Sequence, residues 1–170
     1  MARANHYNFL MKFKTTSSAQ TKKIAGLLVK EILASPLSTR NALVVALSGD
    51  LGSGKTTFTQ GFLRGLGIKN KITSPTFVIA KNYKLPSFAK ATAGKKTLNY
   101  KHAWHFDCYR IKKSTELSIL GFKEILSDPQ NIILIEWPEV IKKVLPKNAV
   151  WIKFEHGEKE NKRIINFRNG

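Results

Sequence analysis

Eight residues constrain this chain more than any others. From Gly49 they read Gly-Asp-Leu-Gly-Ser-Gly-Lys-Thr, the pattern G-x-x-x-x-G-K-[ST] of a phosphate-binding loop. Glycines let the backbone curl until successive N–H groups point inward at a phosphate. A helix starting at the loop's end adds the positive end of its dipole. Asp50, Leu51, Gly52, Ser53, Gly54, Lys55, Thr56 and the next residue, Thr57, are therefore candidate nucleotide-binding positions. Lys55 is the cation for the β- and γ-phosphates, and the Thr56 hydroxyl is a ligand for Mg²⁺. The flanks fit. Leu43-Val44-Val45-Ala46-Leu47 is continuous and apolar, as a strand buried on both faces is. Phe58, Phe62 and Leu66 recur at helical spacing before a stop at Gly67. A glycine-rich surface turn, the plainer alternative, needs neither flank.

The rest of the chain supplies acids at strand tips. Ile132-Ile133-Leu134-Ile135-Glu136 reads as a second buried parallel strand presenting a carboxylate at its end, where a phosphate-loop enzyme needs a group to hold Mg²⁺ beside the loop threonine. Trp104 to Arg110 reads as an alternating strand with Asp107 near its C-terminal end, the edge at which open α/β sheets hold ligands. Thr73-Ser74-Pro75-Thr76-Phe77 clusters hydroxyls on a loop after the phosphate-loop helix. Thr76 is a candidate switch residue there; a hydroxyl-rich turn capping a strand is the plainer reading.

Other segments frame these. Tyr7 to Phe13 alternates as a first strand, and Ser17 with Gln20 forms a capping box for a helix with Ile24, Leu27, Leu28 and Ile32 on one face. Ser35-Pro36 ends that helix. Helical turns around Glu116 to Ile125 break at Gly121, Glu139 to Val144 make a short helix, and 149–154 with 162–167 close as an antiparallel hairpin. Residues 84–101 are basic and poor in large apolar side chains, and read as an exposed excursion between two strands. The expected fold is α/β: a mostly parallel sheet with helices on both faces and antiparallel strands at its margin.

Composition bounds the rest. A chain of 170 residues with 42% hydrophobic content suits one domain, 1–170, with its own core. No apolar run reaches the length of a membrane span, and the N-terminus lacks an apolar stretch followed by a small-residue cleavage site. The one cysteine, Cys108, has no internal disulfide partner and reads as core packing. Together these features are expected of a cytoplasmic protein. The net charge of +18 fits either an anionic partner such as RNA or lysines spread over solvated faces. His102 and His105 are three apart with no second pair, so the spacing does not build a zinc site. Arg110 either neutralises phosphate charge or braces a strand, and Trp137 either packs on the nucleotide or a partner or, the plainer reading, fills the core.

Taken in order, Gly-Asp-Leu-Gly-Ser-Gly-Lys-Thr-Thr from Gly49, Thr-Ser-Pro-Thr-Phe from Thr73, His-Phe-Asp-Cys-Tyr-Arg from His105, Glu116 to Phe122, and Ile-Glu-Trp-Pro-Glu from Ile135 resemble the bacterial TsaE family. The resemblance runs from about Lys14 to Phe167. It implies a small cytoplasmic ATPase using ATP and Mg²⁺, acting with TsaD and TsaB type subunits in threonylcarbamoylation of adenosine 37 of ANN-decoding tRNAs. It further implies phosphate and metal roles for Lys55 and Thr56, a switch role for Thr76, and a water-positioning catalytic acid at Asp107. Glu136 becomes the acidic metal ligand, Arg163 lies near the nucleotide, and residues 16–21 border the adenine. Cys108 and Ser53 stand where leucine and alanine are common in the family, and the 84–101 excursion is longer than the usual link. Whether tRNA touches this chain is left open. A small-molecule kinase of shikimate-kinase-like size and an RNA-binding module are the rival readings.

Overall fold

The computed structural model describes residues 11–34, 40–86, 90–93, 96–159 and 161–169. The strands are β1 (Met11–Thr15), β2 (Leu43–Gly49), β3 (Ala80–Lys84), β4 (Lys90–Ala93), β5 (Lys96–Asn99), β6 (His102–Asp107), β7 (Asn131–Glu136), β8 (Val150–His156) and β9 (Arg163–Asn169). The α-helices are α1 (Ser18–Ala34), α2 (Lys55–Gly65) and α3 (Phe122–Ser127), with 3₁₀ turns over Ser114–Leu120 and Pro138–Val144. Seven strands form one sheet in the order β1-β9-β8-β2-β7-β6-β3. β8, β2, β7 and β6 are parallel to their neighbours in that series. β3 closes one edge antiparallel to β6, while β9 and β1 close the other. This is the mostly parallel sheet with antiparallel margins expected from the sequence.

The central strands are apolar along their whole length because both faces are covered. In β2, Leu43, Val45 and Leu47 join α1 and α2 in one core with Val29, Phe58, Phe62 and Leu63. Val44 faces the other way, into a core with Ile111, Leu117, Phe122, Ile125 and Ile141. β7 divides in the same way, Ile132 and Leu134 to one side and Ile133 and Ile135 to the other. The two-residue period of a strand thus serves two helical layers.

One expectation is tested only in part and two need correction. The first described strand covers Met11–Thr15; residues 7–10 of the expected strand lie outside the described residues. Helix α1 buries Thr21, Ala25, Val29 and Ile32, while Leu27 is exposed and Ile24 and Leu28 are only partly covered. The stripe turns toward Thr21 because its hydroxyl is satisfied by Thr15 at 2.9 Å, and small residues there admit α2 closely. The 84–101 excursion contains an antiparallel pair, β4 with β5. Its roots are anchored, since Leu85 and Tyr100 are buried in the α1–α2 core. Residues 35–39, at the expected Ser35-Pro36 stop, lie outside the described residues; α1 reaches Ala34.

Candidate nucleotide site

The site lies at the C-terminal ends of β2, β7 and β6. β2 leaves the sheet at Gly49, whose φ is +133°. A Cβ there would stand 2.3 Å from the Phe154 carbonyl oxygen of β8, so only glycine fits. Gly54, at φ +105°, opens helix α2, again a conformation that side chains resist. Between them the loop folds back on itself through Ser53 N–H to Asp50 O, 3.2 Å. Lys55 is buried and its Nζ donates to the carbonyls of Gly49 at 2.6 Å and Asp50 at 2.8 Å. It also lies 3.9 Å over the Trp137 ring. Burial holds its ammonium below the ordinary 10.5, opposed by the charges of Glu136, Glu139, Asp107 and Asp50.

Parallel pairing brings the acids together. Glu136 of β7 is in register with Leu47 of β2 on one side and Asp107 of β6 on the other. The Cys108 amide donates to the Glu136 carbonyl at 2.9 Å, and the Trp137 amide to that of Leu47 at 3.2 Å. Glu136 is buried, and its Oε2 accepts from Thr56 Oγ1 at 2.8 Å. Its Oε1 accepts from Thr59 Oγ1 at 3.3 Å and meets His105 Nε2 at 2.8 Å. Asp107 Oδ2 accepts from Ser74 Oγ at 2.8 Å and from Thr76 Oγ1. Its Oδ1 accepts from the Tyr109 amide at 3.0 Å.

Lys55, Thr56, Thr76, Asp107, Glu136 and Trp137 line one cavity of about 340 Å³. A second, about 350 Å³, is lined by Thr16, Ser17, Ser18, Thr21, Thr57 and Arg163. Gly52, Gly54 and Thr57 border both, so the two lie on either side of the start of α2. The donors beside Thr56 are hydroxyl and carboxylate oxygens, the hard set that Mg²⁺ prefers, and magnesium beside a nucleotide needs only one or two protein ligands. Among the described residues, the two non-glycine residues with positive φ both sit at this site: Ile79 at +64° and Trp137 at +58°. Such strain collects where surrounding structure must hold a group in place. Ile79 gives its carbonyl to the Asp107 amide, and Trp137 turns its ring toward Lys55.

Several of these residues were not assigned to this site by the sequence. His105 and Thr59 carry a spacing signal only in hindsight, His105 two residues before Asp107 on the same strand face and Thr59 one turn after Thr56. Ser74 was seen only as part of a hydroxyl cluster. Trp137, weighed between core packing and a nucleotide or partner contact, is half-buried at the cavity lip beside Tyr109, ring centroids 5.0 Å apart. Arg110 stacks on Phe77, 4.6 Å from its ring centre, which is neither of the two roles weighed for it. Cys108 is core, 1% exposed. Its thiol is pushed up to about 12 by burial and then by the Asp107 and Glu139 charges, so it holds its proton.

Strand, glycine loop, helix and the acid at the tip of the neighbouring strand define a P-loop-type nucleotide-binding protein. A family profile described as threonylcarbamoyl adenosine biosynthesis protein TsaE matches residues 15–165, and the chain belongs to that family. It is 34% identical over 135 residues to the tRNA threonylcarbamoyladenosine biosynthesis protein TsaE of Haemophilus influenzae, covering 79% of this chain and 73% of the relative. The Bacillus subtilis protein of the same description is 34% identical over 157 residues, covering 91% and 83%. The crystal structure of Bacillus subtilis YdiB superposes with a TM-score of 0.66 at 29% identity, covering 98% of this chain and 90% of that one.

Proposed function

We propose that this chain is a Mg²⁺-dependent ATPase that supports threonylcarbamoylation of adenosine 37 in ANN-decoding tRNAs, working in the cytoplasm with TsaD and TsaB type subunits. Residues 1–170 act as one ATPase unit in this reading. The observation that carries it is the Thr56–Glu136 hydrogen bond beside a buried Lys55, with Asp107 across the same cavity. ATP lies with its phosphates over the loop from Asp50 to Thr57 and its adenosine in the cavity of Thr16 to Thr21, near Arg163. Lys55 would exchange two carbonyl partners for phosphate oxygens, whose charge offsets the burial that disfavours its ammonium. Thr56 and Glu136 would hold Mg²⁺, which would supply neutralising charge to the transferring phosphoryl group. Asp107 orients the attacking water in line.

Asp107 Oδ2 is engaged by Ser74 and Thr76. Among the described residues, Oδ1 accepts only from the Tyr109 amide and keeps an acceptor position for water, while the two hydroxyls tie Asp107 to the Thr76 loop, which gives that loop its switch role. The isolated protein is therefore expected to turn over slowly until a partner moves that loop. Exposed Phe77, Val78 and Tyr109 beside it offer apolar surface for such a partner. The names of the relatives support the pathway, and the donor set supports the metal.

Calorimetry with ATP and phosphate-release assays test the reading. Lys55→Ala is expected to weaken ATP binding by about 100-fold, the cost of a desolvated phosphate without its charge-assisted partner at about 3 kcal/mol. Asp107→Ala is expected to bind ATP and to lose turnover. Full turnover in Asp107→Ala removes that residue from the mechanism, and a wild-type protein indifferent to adenine nucleotides overturns the whole reading.

A further inference from the structure

Glu136 receives three side-chain donors, and they are not equivalent. Thr56 donates to Oε2. Thr59 lies 3.3 Å from Oε1, but its hydroxyl is also 3.1 Å from the Lys55 carbonyl. One hydroxyl has one proton, so Thr59 cannot donate to both at once. His105 has no such conflict. Its Nε2 is 2.8 Å from Oε1. Its ring is fully buried, and its Nδ1 has no hydrogen-bond partner among the described residues. An ionised carboxylate only accepts hydrogen bonds, so Nε2 carries the proton. Every polar interaction of this buried ring is thus spent on one oxygen of Glu136. A ring kept for packing alone would bury a polar atom without return.

We propose that His105 is a positioning residue for metal-assisted nucleotide binding, and the inference rests on the ATPase reading above. A glutamate side chain has three rotatable bonds. The His105 N–H pins Oε1 on the sheet side, and Oε2 is left facing Thr56 and the cavity. Backbone pairing sets the distance, since His105 of β6 is in register with Leu134 of β7, two residues before Glu136 on the same face. Partners of this kind commonly fix ligating carboxylates in metal sites.

The test is calorimetric titration of ADP into the full chain, with Mg²⁺ and with chelator. Wild-type protein should bind ADP more tightly with Mg²⁺. His105→Phe keeps a ring without a donor, and His105→Asn keeps a polar group too short to reach Oε1. Both should lose about 10- to 100-fold of metal-dependent affinity, the usual cost of removing such a partner, while affinity in chelator is unchanged. His105→Gln, whose amide nitrogen reaches about as far as Nε2, should restore the Mg²⁺ effect. His105→Asn and His105→Gln are both polar, so the comparison stands even where the Phe variant does not fold. Full Mg²⁺ dependence in His105→Asn overturns the proposal. So does an equal loss with and without metal, which marks general distortion. A wild-type protein without any Mg²⁺ dependence overturns the metal role of Glu136 and this proposal with it, whereas a metal-dependent wild type with metal-dependent variants overturns this proposal alone.

Discussion

Ser53 sits inside the phosphate loop, fully buried, with a hydroxyl that has no hydrogen-bond partner among the described residues. Its place in the loop is a backbone place. The Ser53 amide bonds Asp50, and the side chain adds a polar atom taken from water without compensation. Ser53→Ala is therefore expected to raise unfolding stability by about 1 kcal/mol, the low end of the penalty for an unsatisfied buried group. Urea denaturation reads it directly, and a lower midpoint would show that the hydroxyl has a partner after all. The same scale explains which site residues the sequence revealed. Lys55, Thr56 and Glu136 stand at fixed offsets from a loop or at the end of an apolar run, so their places follow from local pattern. His105 has no local signature. A histidine in a strand means nothing until pairing sets which acid stands beside it.

Helices α1 and α2 meet at Gly61, where a Cβ would stand 2.5 Å from the Lys22 Cα and 2.6 Å from its carbonyl oxygen. Two effects compete in Gly61→Ala. Alanine is the better helix former by about 1 kcal/mol, but the added methyl meets backbone that cannot rotate away, and forced overpacking costs about 1–3 kcal/mol. The clash is expected to win by up to about 2 kcal/mol, lowering the denaturation midpoint; a stabilised variant would show that the helices separate freely. This crossing also shows why α1 was misread. Reading by hydrophobicity put Leu27 inward, but the buried line is Thr21, Ala25, Val29 and Ile32. Hydrophobicity does not count a hydroxyl satisfied by Thr15, nor the closeness that small residues permit. The β4–β5 pair escaped for a related reason, since residues 90–99 have too little apolar alternation to announce strands. β2 and β7 were legible because both faces of a central parallel strand demand apolar side chains, leaving an unbroken run.

At the scale of the molecule, the buried ionisable groups set its response to alkali. Burial raises the Cys108 thiol from 9.0 to about 12 and the Tyr100 phenol from 10.0 to about 12. The unfolded chain therefore releases these protons first. Their contribution is fully present below pH 9 and is lost as pH climbs to about 12, at about 1.4 kcal/mol per pH unit for each proton. Lys55 acts in the opposite sense, because burial lowers its ammonium below 10.5 and the folded state gives up that proton first. Cys108→Ala with Tyr100→Phe separates the two trends: stability against pH should flatten between 9 and 12 relative to the parent, and an unchanged slope would mean that neither group stays protonated in the folded chain. Sheet order has a consequence of another kind. The loop is made from residues 49–56, but Thr56 meets its acid 80 residues later, and β2 takes both its neighbours, β7 and β8, from the last third of the chain. During synthesis the ligand cradle thus emerges early and stays unfinished until Glu136 has left the ribosome, so a nucleotide held by the whole cradle would stabilise the chain only after that point.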